Sequence, residues 1–476
     1  MFTSFTFILF LTILWLIYLC VPKKFREVVL LLAGYLFIGY LSLTALVAVI
    51  ISTLVVYASG ITIDNCKRKG KTAGKVAACG ISLFTFVLVV VKNIPTVINL
   101  FGGMGFPEDG ILRNIILPIG FSFYAFQAIG YIYDVYKGTE SAERDILKLA
   151  LYMGFFAKFV SGPIERKEKF CKQIDNLSSI KIIDKNRIKL ALVYMLWGYF
   201  LKLVVADRLA LTVDVIHLNP GAYDSLWLVI CAVFYSFQIY TDFAGYTYIA
   251  IGAAKLFGID LIQNFESPYL SKNITEFWRR WHISLSSWLK DYVYIPLGGN
   301  RKGILRKYIN TMIVFILCGI WHGNGAQFLV WGILHGIYSA LDGYTLKKCP
   351  SHILARILTF LAVSFAWIFF RAETLTAAVK YIGHMFAGGI HPMSHMPYFV
   401  SQGGVLIQLL LGAAFIVLVW ITDVISYKKT INVPEMINDT KLVYKCLIVY
   451  ILIMIIFVFG IYGVGFDADK FIYMQF

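Results

Sequence analysis

The stretch that decides the fold runs from Asn264 to His322, and its first part reads NFESPYLSKNITEFWRRWHISLSSWLKDYVYIPLGGNRKG over residues 264–303. It closes in an apolar run, VFILCGIWHG, at residues 314–323. His322 therefore stands at the end of a segment apolar enough to lie in a bilayer. A polar, ionisable ring at membrane depth is costly to keep, so it marks a functional site by default.

The composition around this stretch is that of a membrane protein. Of the 476 residues, 59% are hydrophobic and 15% are charged, whereas a soluble domain carries about 25% charged residues. The formal net charge is +16, but the basic residues sit in short loops between apolar runs, as the positive-inside rule describes. We therefore expect anionic lipid headgroups as partners, and no nucleic acid.

The apolar runs predict an all-α polytopic protein with about ten to twelve crossings, some shorter runs being re-entrant or interfacial. Residues 1–20 lack a basic start and a small-residue cleavage site, so they predict a membrane span and not a removable signal. We see no soluble domain or internal repeat, and expect one domain over residues 1–476. The candidate spans are Phe5–Val21, Val28–Tyr40, Thr44–Gly60, Ala77–Val91, Ile115–Tyr133, Leu147–Val160, Leu190–Val205, Leu226–Ile239, Thr247–Phe257, Tyr308–Trp321, Phe328–Leu341, Ile353–Phe370, Val405–Ile425 and Val443–Tyr462.

Loop charges predict the orientation in the membrane. The loop Asp64–Lys75 holds Lys67, Arg68, Lys69, Lys71 and Lys75, and Pro95–Leu112 holds no basic residue. Basic loops stay in the cytoplasm. We therefore expect the N-terminus outside and the Asp64–Lys75 loop inside.

Residues 273–292 predict an amphipathic helix that lies at the membrane surface or dips into a cavity. Asn273 suits an N-cap, and Glu276 three residues later suits a capping box. His282 falls at the edge between the apolar and polar faces. The apolar stripe follows i, i+3, i+4 and i+7 spacing through Ile274, Phe277, Trp278, Trp281, Leu285, Trp288, Leu289 and Tyr292.

The residues around His322 favour a functional role over the alternative, a histidine whose ring nitrogens are only hydrogen-bonded to neighbouring backbone or hydroxyl groups. Gly323, Asn324 and Gly325 interrupt the helix after it, and freed backbone groups at depth need protein or a water-filled cavity to receive them. Imidazole titrates near neutrality and suits general-base work. No G-x-S-x-G serine elbow is present, and neither His282 nor His322 begins an H-x4-D motif.

The other polar and aromatic residues in these segments are interpreted as structural or lipid-contacting side chains. Trp278 and Trp281 suit interfacial anchors, Arg279 and Arg280 suit lipid-phosphate partners, and His335 suits packing. His384, His391 and His395 lie in a Gly- and Pro-containing loop without acidic or thiol co-ligands, so we expect no metal site. We expect no pair of buried acids, Asp242 being the nearest candidate, and this counts against an ion-coupled transporter.

The stretch 264–303 closely resembles the signature of the membrane-bound O-acyltransferases, above all the branch that O-acetylates alginate. The resemblance extends over 238–323 through QIYTDFAGY (238–246) and GIWHG (319–323), and to SGPIER (161–166), WIFFRA (367–372) and FIYMQF (471–476). It implies a ring of tilted helices around a thin centre, with funnels on both faces. On residue matches it implies His322 as the catalytic histidine and His282 as the second.

The resemblance also implies an activity. An acetyl group from a cytoplasmic donor, acetyl-CoA, crosses the cell membrane for O-acetylation of an extracellular polysaccharide, with no bound cofactor and with an SGNH-type extracytoplasmic partner. D-alanyl transfer to teichoic acid by the same fold is one alternative, and a polysaccharide-precursor transporter or flippase is another. The candidate substrate-binding residues are Trp278, Arg280, Trp281, Asn264, Tyr240, Asp242, Trp321 and Asn324.

Overall fold

The chain folds as a bundle of helices. A computed structural model describes residues 2–91, 120–159, 162–342, 351–389 and 405–462, and no strand occurs within these ranges. The predicted all-α class is confirmed. The helices are α1 (Phe5–Cys20), α2 (Arg26–Leu41), α3 (Leu43–Arg68), α4 (Gly74–Phe86), α5 (Phe121–Lys137), α6 (Ile146–Gly154), α7 (Lys167–Asp175), α8 (Lys185–Leu218), α9 (Ser225–Leu256), α10 (Ile274–Arg280), α11 (Ile283–Leu289), α12 (Ile304–His322), α13 (Ala326–Leu341), α14 (His352–Arg371), α15 (Leu375–Ala387), α16 (Val405–Lys429), α17 (Val433–Asp439) and α18 (Leu442–Phe459).

Seven of the described helices are long and apolar enough to cross a membrane: α3, α8, α9, α12, α14, α16 and α18. Together with three shorter apolar helices, α1, α4 and α13, the described residues contain as many apolar helices as the lower end of the predicted ten to twelve crossings. An apolar helix of this length satisfies its own backbone hydrogen bonds, which a bilayer interior requires. The chain is a multi-pass membrane protein.

The two central helices, α8 and α9, are longer than the sequence predicts. Leu226–Ile239 and Thr247–Phe257, predicted as separate spans, belong to the single 32-residue helix α9. The polar residues between them do not break the helix because their side chains find partners inside the protein. Thr241 Oγ1 donates to the carbonyl oxygen of Phe237 at 2.7 Å, and Asp242 pairs with Lys202 of α8.

Helices α8 and α9 pack closely because glycines face each other where they cross. A Cβ built on Gly198 would lie 2.6 Å from the carbonyl oxygen of Gly245. Real carbon and oxygen atoms do not approach so closely, so only hydrogen fits there. A π-helical turn at Phe200–Ala206 follows Gly198 in α8, and such turns are frequent at functional sites.

Basic loops gather at one end of the bundle, which we call the basic end. There Arg144 pairs with Asp64 at 3.0 Å, Lys148 pairs with Asp175, and Arg26 donates to the carbonyl oxygen of Ile180 at 2.9 Å. By the positive-inside rule we expect this end to face the cytoplasm. The charge-free loop Pro95–Leu112, on which the predicted orientation also depends, lies outside the described residues.

Candidate functional site

The segment 273–292 is a broken helix and not the single helix that its periodicity predicts. Helix α10 ends at Arg280 and α11 begins at Ile283. Between them His282 adopts φ +43° and ψ +53°, the left-handed region that non-glycine residues rarely enter. Asn264 holds the break: its carbonyl oxygen accepts from Ile283 N at 3.0 Å, and its Oδ1 accepts from Ser284 N at 3.1 Å.

The predicted N-cap at Asn273 is confirmed, but the return bond from Glu276 goes to Lys272 N and not to the N–H of Asn273 as in a capping box. Asn273 Oδ1 accepts from Glu276 N at 2.7 Å, and Glu276 Oε2 accepts in return from Lys272 N at 2.9 Å. Asp342 adds a second cap, since its carboxylate accepts from Ile274 N at 3.1 Å. Burial raises the pKa of Asp342, and its hydrogen bonds oppose that rise.

The apolar stripe lies inside the bundle and not on the membrane surface. Its members from Ile274 to Leu289 are buried, and Tyr292 is half-buried. Trp288 Nε1 donates to the carbonyl oxygen of Phe126 at 2.8 Å. Of the two predicted settings, surface or interior, the structure places this segment in the interior.

His282 is fully enclosed, so its predicted place at the edge of the stripe is wrong. Its exposure is 1%, because the left-handed turn points the residue into the bundle. The His282 and Phe243 rings make a T-shaped contact, with centroids 4.7 Å apart and planes at 89°. Burial lowers the pKa of His282 by disfavouring the charged ring. The imidazole is therefore neutral at physiological pH, with one nitrogen able to accept a proton.

His322 is the last residue of α12 and is also buried. The predicted interruption is confirmed, because Gly323–Gly325 separates α12 from α13. The His322 ring makes T-shaped contacts with Trp331 and Phe370, with centroids 5.0 Å and 5.1 Å away. A Cβ on Gly323 would collide with the Phe328 ring, so a larger residue after His322 would force that ring to move.

Trp321 joins the two histidines. Its ring centroid lies 4.6 Å from that of His322 and 6.2 Å from that of His282. Phe126 packs on it at 5.4 Å. Two helix breaks far apart in sequence thus bring two buried imidazoles against the same indole.

An aromatic wall continues from this pair. Trp278 Nε1 donates to His335 Nδ1 at 3.2 Å, and the His335 ring lies 4.9 Å from Trp331. Trp281 packs against Trp367 at 5.1 Å. Because indole N–H can only donate, His335 Nδ1 is an acceptor, and the neutral ring carries its proton on Nε2. His335 is packed as predicted, but it also makes a specific hydrogen bond that the sequence did not reveal.

The remaining substrate-binding candidates fall in different places. Tyr240 and Arg280 line a separate cavity of about 290 Å³ toward the basic end, which contains neither histidine of the pair. Arg280 Nε bonds Glu276 at 3.0 Å. Asn264 shapes the break at His282. Asn324 lies two residues after His322 and is half-buried.

Asp242 belongs to a buried charge cluster that the sequence did not predict. Lys202 Nζ lies 2.6 Å from Asp242 Oδ1 and 2.6 Å from Asp207 Oδ1. The expectation of no paired buried acids is therefore wrong: the two aspartates are 35 residues apart in sequence, and only the packing of α8 on α9 brings them together. The ammonium between them offsets their repulsion, as buried charges require.

Two further buried charged residues, Lys158 and Glu165, were also not predicted from the sequence. Lys158 donates to Gln127 Oε1, and its ammonium lies 4.0 Å from the centroid of the Tyr152 ring. Glu165 accepts from Ile262 N at 2.6 Å, which ties the SGPIER motif to the chain leading into Asn264. Burial raises the pKa of Glu165.

Among the described residues, no cluster of three or more His, Cys, Asp and Glu side chains could hold a metal ion. His391 and His395 of the predicted loop lie outside the described residues, and His384 is exposed at the end of α15. The FIYMQF motif at 471–476 also lies outside them.

The chain resembles known membrane acyltransferases. The sequence model of the MBOAT, membrane-bound O-acyltransferase family, matches residues 141–349, which include both histidines and the aromatic wall from Trp278 to His335. The probable alginate O-acetylase AlgI of Pseudomonas syringae pv. tomato is 34% identical over 397 residues, covering 82% of this chain and 75% of that protein.

The names of two further relatives specify other polymers, peptidoglycan and teichoic acid. The peptidoglycan O-acetyltransferase of Helicobacter pylori is 36% identical over 302 residues, 57% of each chain. The teichoic acid D-alanyltransferase of Bacillus subtilis is 28% identical over 279 residues, 55% of this chain and 70% of that protein. The identity to the acetyl-transferring relatives is higher than to this D-alanyl-transferring one.

Proposed function

We propose that this chain, which belongs to the membrane-bound O-acyltransferase family, moves an acetyl group from a cytoplasmic thioester donor, acetyl-CoA, across the membrane for O-acetylation of an extracellular polysaccharide. Family membership makes it an O-acyltransferase, and this favours an enzyme over the transporter that the composition left open. The observation that carries the proposal is the meeting of His282 and His322 on Trp321 inside the bundle.

His322 is the proposed general base. The hydroxyl that accepts the acetyl group, on the extracytoplasmic partner proposed below, gives its proton to the imidazole. The oxygen of that hydroxyl attacks the carbonyl carbon of the thioester. A C–O bond forms, the C–S bond breaks, and the departing thiolate takes up the proton. Burial keeps water from competing for the acyl group. An acyl-histidine on the same ring is the other route by which His322 could carry the group.

His282 is the proposed second catalytic histidine. Its ring centroid lies 6.2 Å from that of Trp321, and it is neutral at physiological pH, so it can accept a hydrogen bond or a proton there. Trp278, Trp281 and Asn264 support it by fixing the broken helix. Asp242 holds α8 against α9, and thereby places Phe243 against His282.

An extracytoplasmic partner, of SGNH-hydrolase type, is proposed to complete the transfer. The described part of the chain is a membrane bundle with no separate domain to hold a long hydrated polymer. The segment Phe101–Phe106, which the sequence suggests as its docking site, lies outside the described residues.

Reconstitution tests the proposal. Liposomes contain the protein, with labelled acetyl-CoA inside and the partner and polysaccharide outside. Label should reach the polymer only with wild-type protein, and His322→Gln should give none while inserting normally. A D-alanyl thioester replaces acetyl-CoA in a parallel arm. Transfer of D-alanine and not acetyl would overturn the acetyl assignment, and full polymer acetylation without the partner would overturn the partner requirement.

A further inference from the structure

The cavity of about 290 Å³ toward the basic end lies apart from the histidine pair. Helix α9 forms one wall, and the end of α16 with the start of α17 forms another. Asn432 Nδ2 bridges the walls by donating to Gln263 Oε1 at 3.2 Å and to the Tyr194 hydroxyl at 2.7 Å. Neither His282 nor His322 lines it, so the cavity is a second place where a small molecule could bind.

Aromatic rings dominate the deep part of this cavity. Trp197, Tyr240, Tyr248 and Phe265 all contribute lining, and each is buried. The Tyr240 and Phe265 rings meet edge to face, with centroids 5.6 Å apart and planes at 62°. Several ring faces around a small polar space form the kind of enclosure that attracts an alkylammonium group.

A buried carboxylate lies among these rings. Asp423 is 8% exposed and lines the cavity. Its Oδ1 accepts from the Tyr240 hydroxyl at 3.0 Å. Within the described part of the chain, the lining holds three carboxylates, Asp423, Glu266 and Glu435, against one cation, Arg280. Three carboxylates against one guanidinium leave the cavity with an excess of negative charge that a bound cation would balance.

The mouth of the cavity has the opposite charge. Tyr427 lies there, with the guanidinium groups of Arg280 and Arg356 at 4.6 Å and 5.0 Å from its ring centroid. Lys428 and Lys429 follow at the exposed end of α16. Guanidinium groups bind phosphate well because their N–H fork fits its oxygens. Glu266 is also exposed and Glu435 is half-buried, so Asp423 is the carboxylate that lies at depth, below the guanidinium groups.

We propose that this cavity binds a phosphorylated alkylammonium, with the ammonium between Asp423 and the ring faces and the phosphate at Arg280 and Arg356. The ligand that fits best is the zwitterionic headgroup of an amine phospholipid in the cytoplasmic leaflet. The mouth lies at the end of α16, a membrane-spanning helix of which only 22% of the apolar window is buried in protein. The same chemistry could come from a soluble phosphorylated amine.

Binding to the purified full-length protein tests this site. Soluble phosphoethanolamine, and separately glycerol phosphate, which lacks the ammonium, are titrated by calorimetry. In a second arm the protein is placed in nanodiscs of equal phosphatidylethanolamine and phosphatidylglycerol, and lipids retained after detergent exchange are weighed by native mass spectrometry. We expect preferential retention of the amine lipid.

Substitutions locate the ligand. Asp423→Asn should weaken amine binding about tenfold or more, because it removes the buried counter-charge. Asp439→Asn is the matched control: it removes an exposed carboxylate on α17 that does not line the cavity. Ser426→Trp, which fills the cavity from its half-buried edge, should also abolish retention. It provides a second variant if Asp423→Asn does not fold.

The outcomes separate cleanly. If the protein retains the amine lipid and does not bind the soluble amine, the natural ligand is a lipid headgroup. If it binds the soluble amine, with or without the lipid, the ammonium site is supported and its ligand can be a soluble phosphorylated amine. Equal retention of both lipids with no soluble binding, or unchanged binding in Asp423→Asn and Ser426→Trp, overturns the site. Amine binding does not require acyl transfer, so loss of the proposed function leaves this test intact.

Discussion

Helices α9 and α18 are both membrane-spanning, yet their surroundings are opposite. In α9, 78% of the apolar window is buried inside the protein, against 6% in α18, although α18 is the more apolar of the two. The central helix carries Tyr240, Asp242 and other polar side chains, while Leu452 is the one buried residue of α18. A helix surrounded by lipid has to be apolar, whereas a helix surrounded by protein can keep polar groups that find partners there.

The comparison explains where the chemistry sits. Asp242 on α9 finds Lys202 on α8, and Phe243 on the same helix meets His282. Helix α18, with Leu452 as its one buried residue, has no comparable set of buried polar side chains. Changes at the centre should therefore be costly, and the matching changes at the periphery should not be.

The largest expected effect is at His322. We expect His322→Gln to lower acetyl transfer by at least about 100-fold, because it removes the proposed base while keeping a polar side chain of similar reach. His384→Gln, an exposed histidine at the periphery, is the control. Transfer of labelled acetyl groups in liposomes measures both. Near-normal transfer by His322→Gln would remove the central site from the mechanism.

The next effect concerns stability of the central helix pair. Lys202→Met leaves the buried Asp242 and the partly buried Asp207 without their cation, and breaking a buried pair costs about 3–5 kcal/mol. Lys445→Met on α18 removes a cation that meets Asn438 at a partly buried position, and should cost far less. Unfolding in mixed micelles by increasing denaturing detergent compares the two free energies. Equal losses would contradict the contrast between centre and periphery.

Close packing at the centre gives a smaller effect. Gly198→Ala places a methyl group against the Gly245 carbonyl, and overpacking of this kind costs about 1–3 kcal/mol. Gly383→Ala on α15 is the control, because nothing lies within 4 Å of its added Cβ. The same unfolding assay reports the difference. A neutral Gly198→Ala would show that α8 and α9 can separate freely at this crossing.

The smallest effect is the loss of one hydrogen bond. Trp278→Phe keeps most of the ring but leaves His335 Nδ1 without its donor, which costs about 1 kcal/mol or more. Trp420→Phe is the matched change on the exposed face of α16. Nitrogen NMR of labelled histidine should show the His335 tautomer changing in Trp278→Phe alone. An unchanged tautomer would mean that the Trp278 hydrogen bond does not fix it.

Local sequence predicted local features well. The Asn273 cap, the apolar stripe and the interruption after His322 follow from neighbouring residues, and all three are present. The continuous helix over 273–292 was wrong because the residue that breaks it, Asn264, acts from outside the segment. Periodicity records which side chains are apolar, and it does not reveal where a distant carbonyl replaces an intrahelical bond.

The sequence by itself determined the class of the protein. Long apolar runs have to become membrane helices because a bilayer interior leaves backbone groups no other partner, and the motif around His282 and His322 indicated the family. The tertiary structure decided which polar groups meet. Lys202 with Asp207 and Asp242, Trp278 with His335, and Tyr240 with Asp423 are joined by the packing of different helices. Such pairings depend on how helices are rotated and placed against each other, and no local spacing along the chain encodes that.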